Sequence, residues 1–114
     1  MKSTIAPMIA AAVAAAFAGP SLAQDFSGNL ADIAESGEIV IGHRESSVPF
    51  SYLDENQQPV GYSIDICMKI VNAVEQTVGK ELEVRYVPVS PSTRIPLMAN
   101  GTIDLECGST TNTL

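Results

Sequence analysis

The chain has 114 residues, a formal net charge of −7 at pH 7, six Lys and Arg, and no Trp. This length allows one small domain at most. Nucleic-acid binding is excluded as a function class, because no basic run is present that could neutralise phosphates.

The N-terminal segment has the order of regions that is typical of a secretory signal. Lys2 precedes an Ala-rich apolar run, and small residues at Ser21 and Ala23 suit a signal peptidase. The alternative is a transmembrane anchor, which fits less well because the run is short of about 20 strongly apolar residues and contains proline. We therefore predict a signal peptide over residues 1–23 and an exported mature chain over residues 24–114.

Three stretches of the mature chain have the spacing or the end signals of helices. Helices are predicted over residues 29–36 and 63–78, and each of them is followed by a glycine that can end it. Thr93 can cap a third, short helix over residues 94–100. In the longest helix one stripe of apolar residues lies at helical spacing: Cys67, Ile70, Val71, Val74 and Val78.

Strands are predicted between and after these helices. Buried strands are expected over residues 38–42 and 103–107. A strand in which apolar residues alternate with others is expected over residues 82–87. Residues 48–62 form two short extended pieces around a polar, turn-rich loop. The order strand, helix, strand, helix, strand predicts an α/β fold with parallel strands and right-handed crossovers.

Polar side chains follow the predicted strands at their carboxyl ends, where open α/β sheets bind ligands. Arg44 follows the first strand, and its planar guanidinium matches a carboxylate bidentately. The alternative for Arg44 is a surface salt bridge, for example with Glu45. His43 is a second candidate, although a packed or solvated imidazole is the alternative at that position.

Two further groups of candidates follow the other strands. Arg94 begins a helix, where the helix dipole does not favour a cation, so that an anionic ligand is one reason for its presence. Ser109, Thr110 and Thr111 follow the last strand and offer hydroxyls and backbone N–H groups. The alternatives are a solvated arginine and a loop that only turns the chain. Together these residues indicate a site for a small carboxylated ligand.

Catalysis finds little support in the sequence. There is no Gly-rich phosphate loop, no His/Cys spacing of a zinc site and no G-x-S-x-G elbow. We therefore predict no enzymatic activity, no cofactor and no metal. Export permits a disulfide between Cys67 and Cys107 but does not require one.

With these residues assembled, the chain resembles the periplasmic solute-binding proteins of polar amino-acid ABC transporters, and most closely their glutamate/aspartate-binding subgroup. The likeness extends over about residues 30–112. It is carried by Gly42-His43-Arg44-Glu45-Ser46-Ser47-Val48-Pro49-Phe50-Ser51-Tyr52, Gly61-Tyr62-Ser63-Ile64-Asp65-Ile66, Arg94-Ile95-Pro96-Leu97 and Glu106-Cys107-Gly108-Ser109-Thr110-Thr111-Asn112.

The resemblance implies a two-lobed receptor of the periplasmic-binding-protein type II class, which closes on its ligand. Residues 24–114 would be an incomplete first lobe at the N-terminus of that receptor. The ligand would be L-glutamate or L-aspartate, the partner an ABC permease in the inner membrane, and the location the periplasm. The alternatives are an enzyme of the same fold that acts on a small carboxylate and a ligand-sensing domain of a membrane receptor.

The resemblance also implies roles for single residues. Arg44 and Arg94 would grip the side-chain carboxylate of the ligand, and Ser109 and Thr111 would hold its α-amino and α-carboxylate ends. Close relatives place a ligand-contacting serine at about the position of Pro91. The neighbouring serine joins the candidates, which are therefore Arg44, Arg94, Ser109, Thr111, Ser90 and His43.

Overall fold

The computed structural model describes residues 26–112. The predicted signal peptide, residues 1–23, lies outside the described residues. The helices are α1 (Asn29–Ser36), α2 (Tyr62–Val78) and α3 (Arg94–Ala99), and the strands are β1 (Glu38–His43), β2 (Ser46–Ser47), β3 (Ser51–Leu53), β4 (Pro59–Val60), β5 (Glu83–Pro88) and β6 (Leu105–Cys107).

The central sheet has three strands in the order β5-β1-β6, and all of its pairings are parallel. The prediction of a parallel α/β core is confirmed. β1 lies in the middle because its apolar run Ile39–Ile41 is buried on both faces, which is typical of a strand covered by helices on both sides.

The helices cover the two faces of this sheet unequally. α1 and α2 pack on one face, around a cluster made of Ile33, Ile39, Ile41, Ile64, Cys67, Val71, Leu82 and Cys107. α3 packs on the other face, where its Leu97 and Met98 contact Val40, Val89 and Ile103. The α3 face therefore holds the smaller cluster.

A second, antiparallel sheet of β2, β3 and β4 lies between β1 and α2 along the chain. Its hairpin ends close to the start of α2, where the N–H groups of Tyr62 and Ser63 donate to the carbonyls of Pro49 and Phe50, at 3.0 Å and 2.8 Å. Gly61 has φ 127°, and a Cβ there would collide with the Phe50 carbonyl. A glycine at this point therefore lets the hairpin approach the helix closely.

The structure corrects several details of the predicted elements. α2 begins at Tyr62, one residue early, and β1 extends one residue further to His43 because that residue pairs with both neighbouring strands. Ile70 is 40% exposed and lies outside the buried stripe of α2. Thr93 does not cap α3, because its hydroxyl accepts the N–H of Ser90 instead.

Candidate functional site

An open groove of about 460 Å³ lies at the carboxyl ends of β1 and β5. This is the edge of a parallel sheet at which ligands are expected. Its lining combines one guanidinium, one carboxylate and several hydroxyls: Arg44, Glu45, Ser46, Pro88, Val89, Ser90 and Thr93. The structure thus brings together two of the predicted site residues, Arg44 and Ser90.

Arg44 has a fixed backbone and an unpaired side chain. Its N–H donates to the hydroxyl of Ser51 at 2.9 Å, and that hydroxyl donates in turn to the Arg44 carbonyl at 3.5 Å. Ser51 is fully buried, so the anchor is shielded from water. Within residues 26–112 no carboxylate lies within 4 Å of the guanidinium, and the salt bridge with Glu45 is not formed. The guanidinium is therefore left available for an anion in the groove.

His43 lies beneath the groove and does not line it. Its side chain is 5% exposed and meets the ring of Tyr86 edge-on, with 5.9 Å between the ring centroids. The residue takes this position because it pairs with Pro88 and Cys107 as the last residue of β1. Its Nδ1 lies 3.2 Å from the Arg44 carbonyl and, when protonated, donates to it. His43 thus supports the Arg44 backbone from the core side.

Ser90 and Thr93 form a reciprocal pair at the entrance to α3. The Ser90 N–H donates to the Thr93 hydroxyl at 2.8 Å, and the Thr93 N–H donates to the Ser90 hydroxyl at 3.2 Å. The reciprocal bonds follow the pattern of a capping box, but they close the turn before α3 and not the helix end itself. The pair fixes the turn that separates β5 from α3, and both residues line the groove.

Arg94 is the first residue of α3 and lies next to the groove rather than in its lining. Its N–H donates to the Ser90 carbonyl at 3.0 Å, and its side chain is half-buried. The Nε atom is buried and has no hydrogen-bond partner within the part of the chain that the structure describes. A buried donor of this kind is costly unless something completes its hydrogen bond.

The loop of residues 108–112 passes on the β6 side of Arg44. The Ser63 hydroxyl donates to the Gly108 carbonyl at 2.6 Å, and the Ser109 hydroxyl donates to the Ser47 hydroxyl at 3.4 Å. Thr111 is exposed. The loop is therefore held at its first two residues by α2 and β2, whereas Ser109 and Thr111 lie outside the lining of the main groove.

The family described as bacterial extracellular solute-binding proteins, family 3, matches residues 39–114. The chain belongs to this family. The match begins at the second residue of β1 and includes every element that forms the groove.

Curated proteins are similar to this chain over nearly its whole length. The L-glutamate/L-aspartate-binding protein of Pseudomonas aeruginosa is 50% identical over 112 residues, which cover 95% of this chain and 37% of the relative. The glutamate/aspartate import solute-binding protein of Escherichia coli is 46% identical over 114 residues, which cover 98% of this chain and 38% of the relative. The chain thus spans little more than a third of the length of these relatives.

Solved structures support the fold. A cysteine-binding protein from Campylobacter jejuni matches with a TM-score of 0.63 and 26% identity, over 76% of this chain and 34% of that one. An ancestral cyclohexadienyl dehydratase matches with a TM-score of 0.61 and 26% identity, over 78% and 34%. These likenesses confirm the type II periplasmic-binding-protein fold, of which this chain holds part of a domain.

Cys67 of α2 and Cys107 of β6 are joined in a disulfide, with Cα atoms 6.3 Å apart. The sequence left this pairing open. The bond fixes the last residue of β6 to the first half of α2, immediately before the loop of residues 108–112. It thereby holds the base of that loop in this solute-binding fold.

Three residues that were not among the predicted site residues support either Arg44 or the neighbouring loop: Ser51, Ser63 and Glu106. Ser51 and Ser63 carried no signal, since serine is common and neither follows a central strand. Glu106 did carry one, because it is an acid that alternates with apolar residues in the predicted strand, as Asp104 also is. Its carboxylate accepts the Thr110 hydroxyl at 2.8 Å.

The described part of the chain offers no site for a metal ion, since residues 26–112 hold no cluster of three or more His, Cys, Asp or Glu side chains suited to one. Among the same residues, no helix has both the length and the apolar character needed to cross a membrane.

Proposed function

We propose that this chain is part of the first lobe of the extracytoplasmic binding component of an ABC importer for L-glutamate and L-aspartate. In this proposal residues 1–23 are a cleavable signal peptide, residues 24–114 are exported to the periplasm, and the partner is a permease in the inner membrane. The named relatives at 46–50% identity support the ligand class.

The observation that carries the proposal is the state of Arg44. Its backbone is bonded to buried Ser51 and supported by His43, while its guanidinium has no carboxylate within 4 Å among residues 26–112. A fixed guanidinium in a groove pairs with both oxygens of a carboxylate at little entropic cost. An acidic side chain is the part of the ligand that needs such a partner.

The remaining site residues take complementary roles in the proposal. Arg94 adds a second cation for the side-chain carboxylate, and its buried Nε supports this role because it lacks a partner in the described chain. Ser90 lines the groove beside Arg44. Ser109 and Thr111 receive the α-amino and α-carboxylate ends of the ligand from the neighbouring loop.

A binding role is also preferred to an enzymatic one, although a solved structure similar in fold is titled as an ancestral dehydratase. A general acid or base must reach the substrate. The single histidine of the chain lies buried below the groove, which leaves Glu45 as the one carboxylate in its lining, and the similar curated proteins are named as binding proteins. Incubation with L-glutamate, followed by proton NMR, should therefore return the ligand unchanged; its conversion would favour the enzyme.

Titration calorimetry on the complete receptor tests the proposal. By complete receptor we mean this chain together with the second lobe. L-Glutamate and L-aspartate should bind, and L-glutamine should bind roughly 100-fold more weakly than L-glutamate, because an amide leaves the guanidiniums without a charged partner. Equal affinity for L-glutamine, or no binding of either acid, would contradict the proposal.

A further inference from the structure

The two carboxylate oxygens of Glu106 lie in different environments. One oxygen, Oε2, accepts the hydroxyl of exposed Thr110 at 2.8 Å. The other oxygen, Oε1, is buried and has no hydrogen-bond partner within residues 26–112. A carboxylate oxygen removed from water without a partner is costly, and such a group is usually retained where a positive charge lies nearby.

The strand register places Glu106 on the same face of the sheet as Arg44. Glu106 pairs with Gly42, and a Cβ at Gly42 would point at Val89 and Ile103, which belong to the α3 face. Arg44 lies two residues beyond Gly42 and therefore returns to that face. A Cβ at Gly108 would collide with Glu106 Oε1 and would lie 3.1 Å from Arg44 Cγ. The carboxylate and the arginine stem thus meet at Gly108.

Arg94 belongs to the helix that packs on the same face. It begins α3, the helix that covers this face through Leu97 and Met98. Within the described part of the chain, the buried side-chain atoms without a partner are Arg94 Nε and Glu106 Oε1. One is a cationic donor and the other an anionic acceptor. Of the two, Glu106 Oε1 is the atom that lies next to the stem of Arg44 at Gly108.

We propose that Glu106 is a specificity-determining residue, because its carboxylate is a built-in counter-charge beside Arg44. Glu106 places a negative charge next to the stem of Arg44, and its Coulomb repulsion is about twice as strong for a dianion as for a singly charged anion. The site therefore selects a singly charged carboxylate over doubly charged anions. This inference rests on the proposed function, since it defines the selectivity of the same site.

Inorganic sulfate is the probe that tests this selectivity, since it is a dianion without an amino group. Titration of the complete receptor should show sulfate binding roughly tenfold tighter in Glu106→Gln than in wild type, because removal of one charge at close range strengthens the interaction with a dianion. Glu106→Met, which is of similar length and carries no polar atom, should show the same gain. It serves as the second variant if Glu106→Gln does not fold.

Two controls separate charge from structure. Glu106→Asp keeps the negative charge and should hold sulfate affinity near the wild-type value. Glu83→Gln removes an exposed acid at the amino end of β5 and should leave sulfate affinity unchanged. A sulfate affinity within twofold of wild type in both neutral variants would overturn the proposal, as would an equal gain in Glu106→Asp.

Failure of the two proposals can be told apart in the same series. If wild type does not bind L-glutamate while the neutral variants gain sulfate affinity, the proposed ligand is wrong and the counter-charge role of Glu106 is retained. If wild type binds L-glutamate and no variant changes its affinity for sulfate, the proposed function is retained and the role of Glu106 is wrong.

Discussion

Arg85 and Arg44 lie toward opposite ends of the same parallel sheet, and their surroundings differ in one respect. Arg85, in the amino-terminal half of β5, forms an ion pair with Glu38 on the neighbouring strand. Arg44, just past the carboxyl end of β1, has its backbone bonded to Ser51 but no carboxylate within 4 Å among the described residues. At the amino end of the sheet, Arg85 is thus paired with a carboxylate of the same sheet. At the carboxyl end, Arg44 is held in place but has no carboxylate partner among the described residues.

The same contrast is seen in the other polar groups near each end of the sheet. At the amino end the Asp104 carboxylate accepts the Val40 N–H at 2.8 Å, and the Asp104 N–H donates to the Val40 carbonyl at 2.8 Å. At the carboxyl end, two buried side-chain atoms, Arg94 Nε and Glu106 Oε1, lack hydrogen-bond partners within residues 26–112. Unsatisfied charge therefore distinguishes the candidate site better than the mere presence of arginine does.

The largest expected effect comes from removal of the unpaired arginine. Arg44→Ala in the complete receptor should weaken L-glutamate binding by about 2–5 kcal/mol, or roughly 30- to several-thousand-fold, because a desolvated ligand carboxylate loses its partner. Arg44→Lys should recover only part of the loss, since an ammonium lacks the bidentate fork. Calorimetric affinities within twofold of wild type for Arg44→Ala would contradict the assignment.

The next effect concerns the disulfide at the carboxyl end. Replacement of Cys67 and Cys107 by serine opens a covalent loop between residues 40 positions apart. The free energy of unfolding of the complete receptor should fall by about 2–4 kcal/mol, as expected for loss of a cross-link over a loop of this length. Chemical denaturation measures this loss. A change below 0.5 kcal/mol, on the order expected of neutral surface substitutions, would show that the bond contributes little.

Ser51→Ala tests whether the Arg44 backbone is fixed through its buried anchor. The substitution removes the acceptor of the Arg44 N–H and leaves that group unsatisfied, which should cost about 1–3 kcal/mol of folding stability. L-Glutamate binding should weaken as well, because Arg44 is less well positioned. Ser27→Ala, at an exposed position, is the matched control and should alter neither quantity. Equal effects of the two substitutions would show that Ser51 does not anchor the Arg44 backbone.

The smallest effect is expected at the paired end of the sheet. Arg85→Ala breaks an ion pair in which the arginine side chain is 59% exposed, so stability should fall by about 0.2–1 kcal/mol. Affinity for L-glutamate should stay within twofold of wild type. A tenfold loss of affinity would show that the two ends of the sheet are not functionally distinct.

The sequence was sufficient to predict the central sheet because its signals are local. The buried run of β1, the alternation in β5 and the glycine after α2 each report on neighbouring residues, and the structure confirms these elements. His43 was harder to place. Whether a side chain at the end of a strand points to the core depends on which strand lies beside it. That pairing cannot be inferred from a local sequence pattern.

The candidate site was predicted in outline and not in detail. Arg44 and Ser90 line one groove, as the carboxyl-end rule for parallel sheets indicates. The contacts that hold the site in place come from residues distant in sequence, such as Ser63, which donates to the carbonyl of Gly108 across 45 positions. No spacing rule relates a helix serine to a loop that far away. Such supporting contacts become visible only in three dimensions.

In the proposed function, Arg44 recognises the side-chain carboxylate of the ligand. A cycle of four titrations tests it most directly, with L-glutamate and L-glutamine on wild type and on Arg44→Ala. Wild type should prefer L-glutamate strongly, and Arg44→Ala should lose most of this preference, because the guanidinium pairs with the charged side-chain carboxylate of L-glutamate and not with the neutral amide of L-glutamine. An undiminished preference in Arg44→Ala would contradict the claim, whatever the absolute affinities.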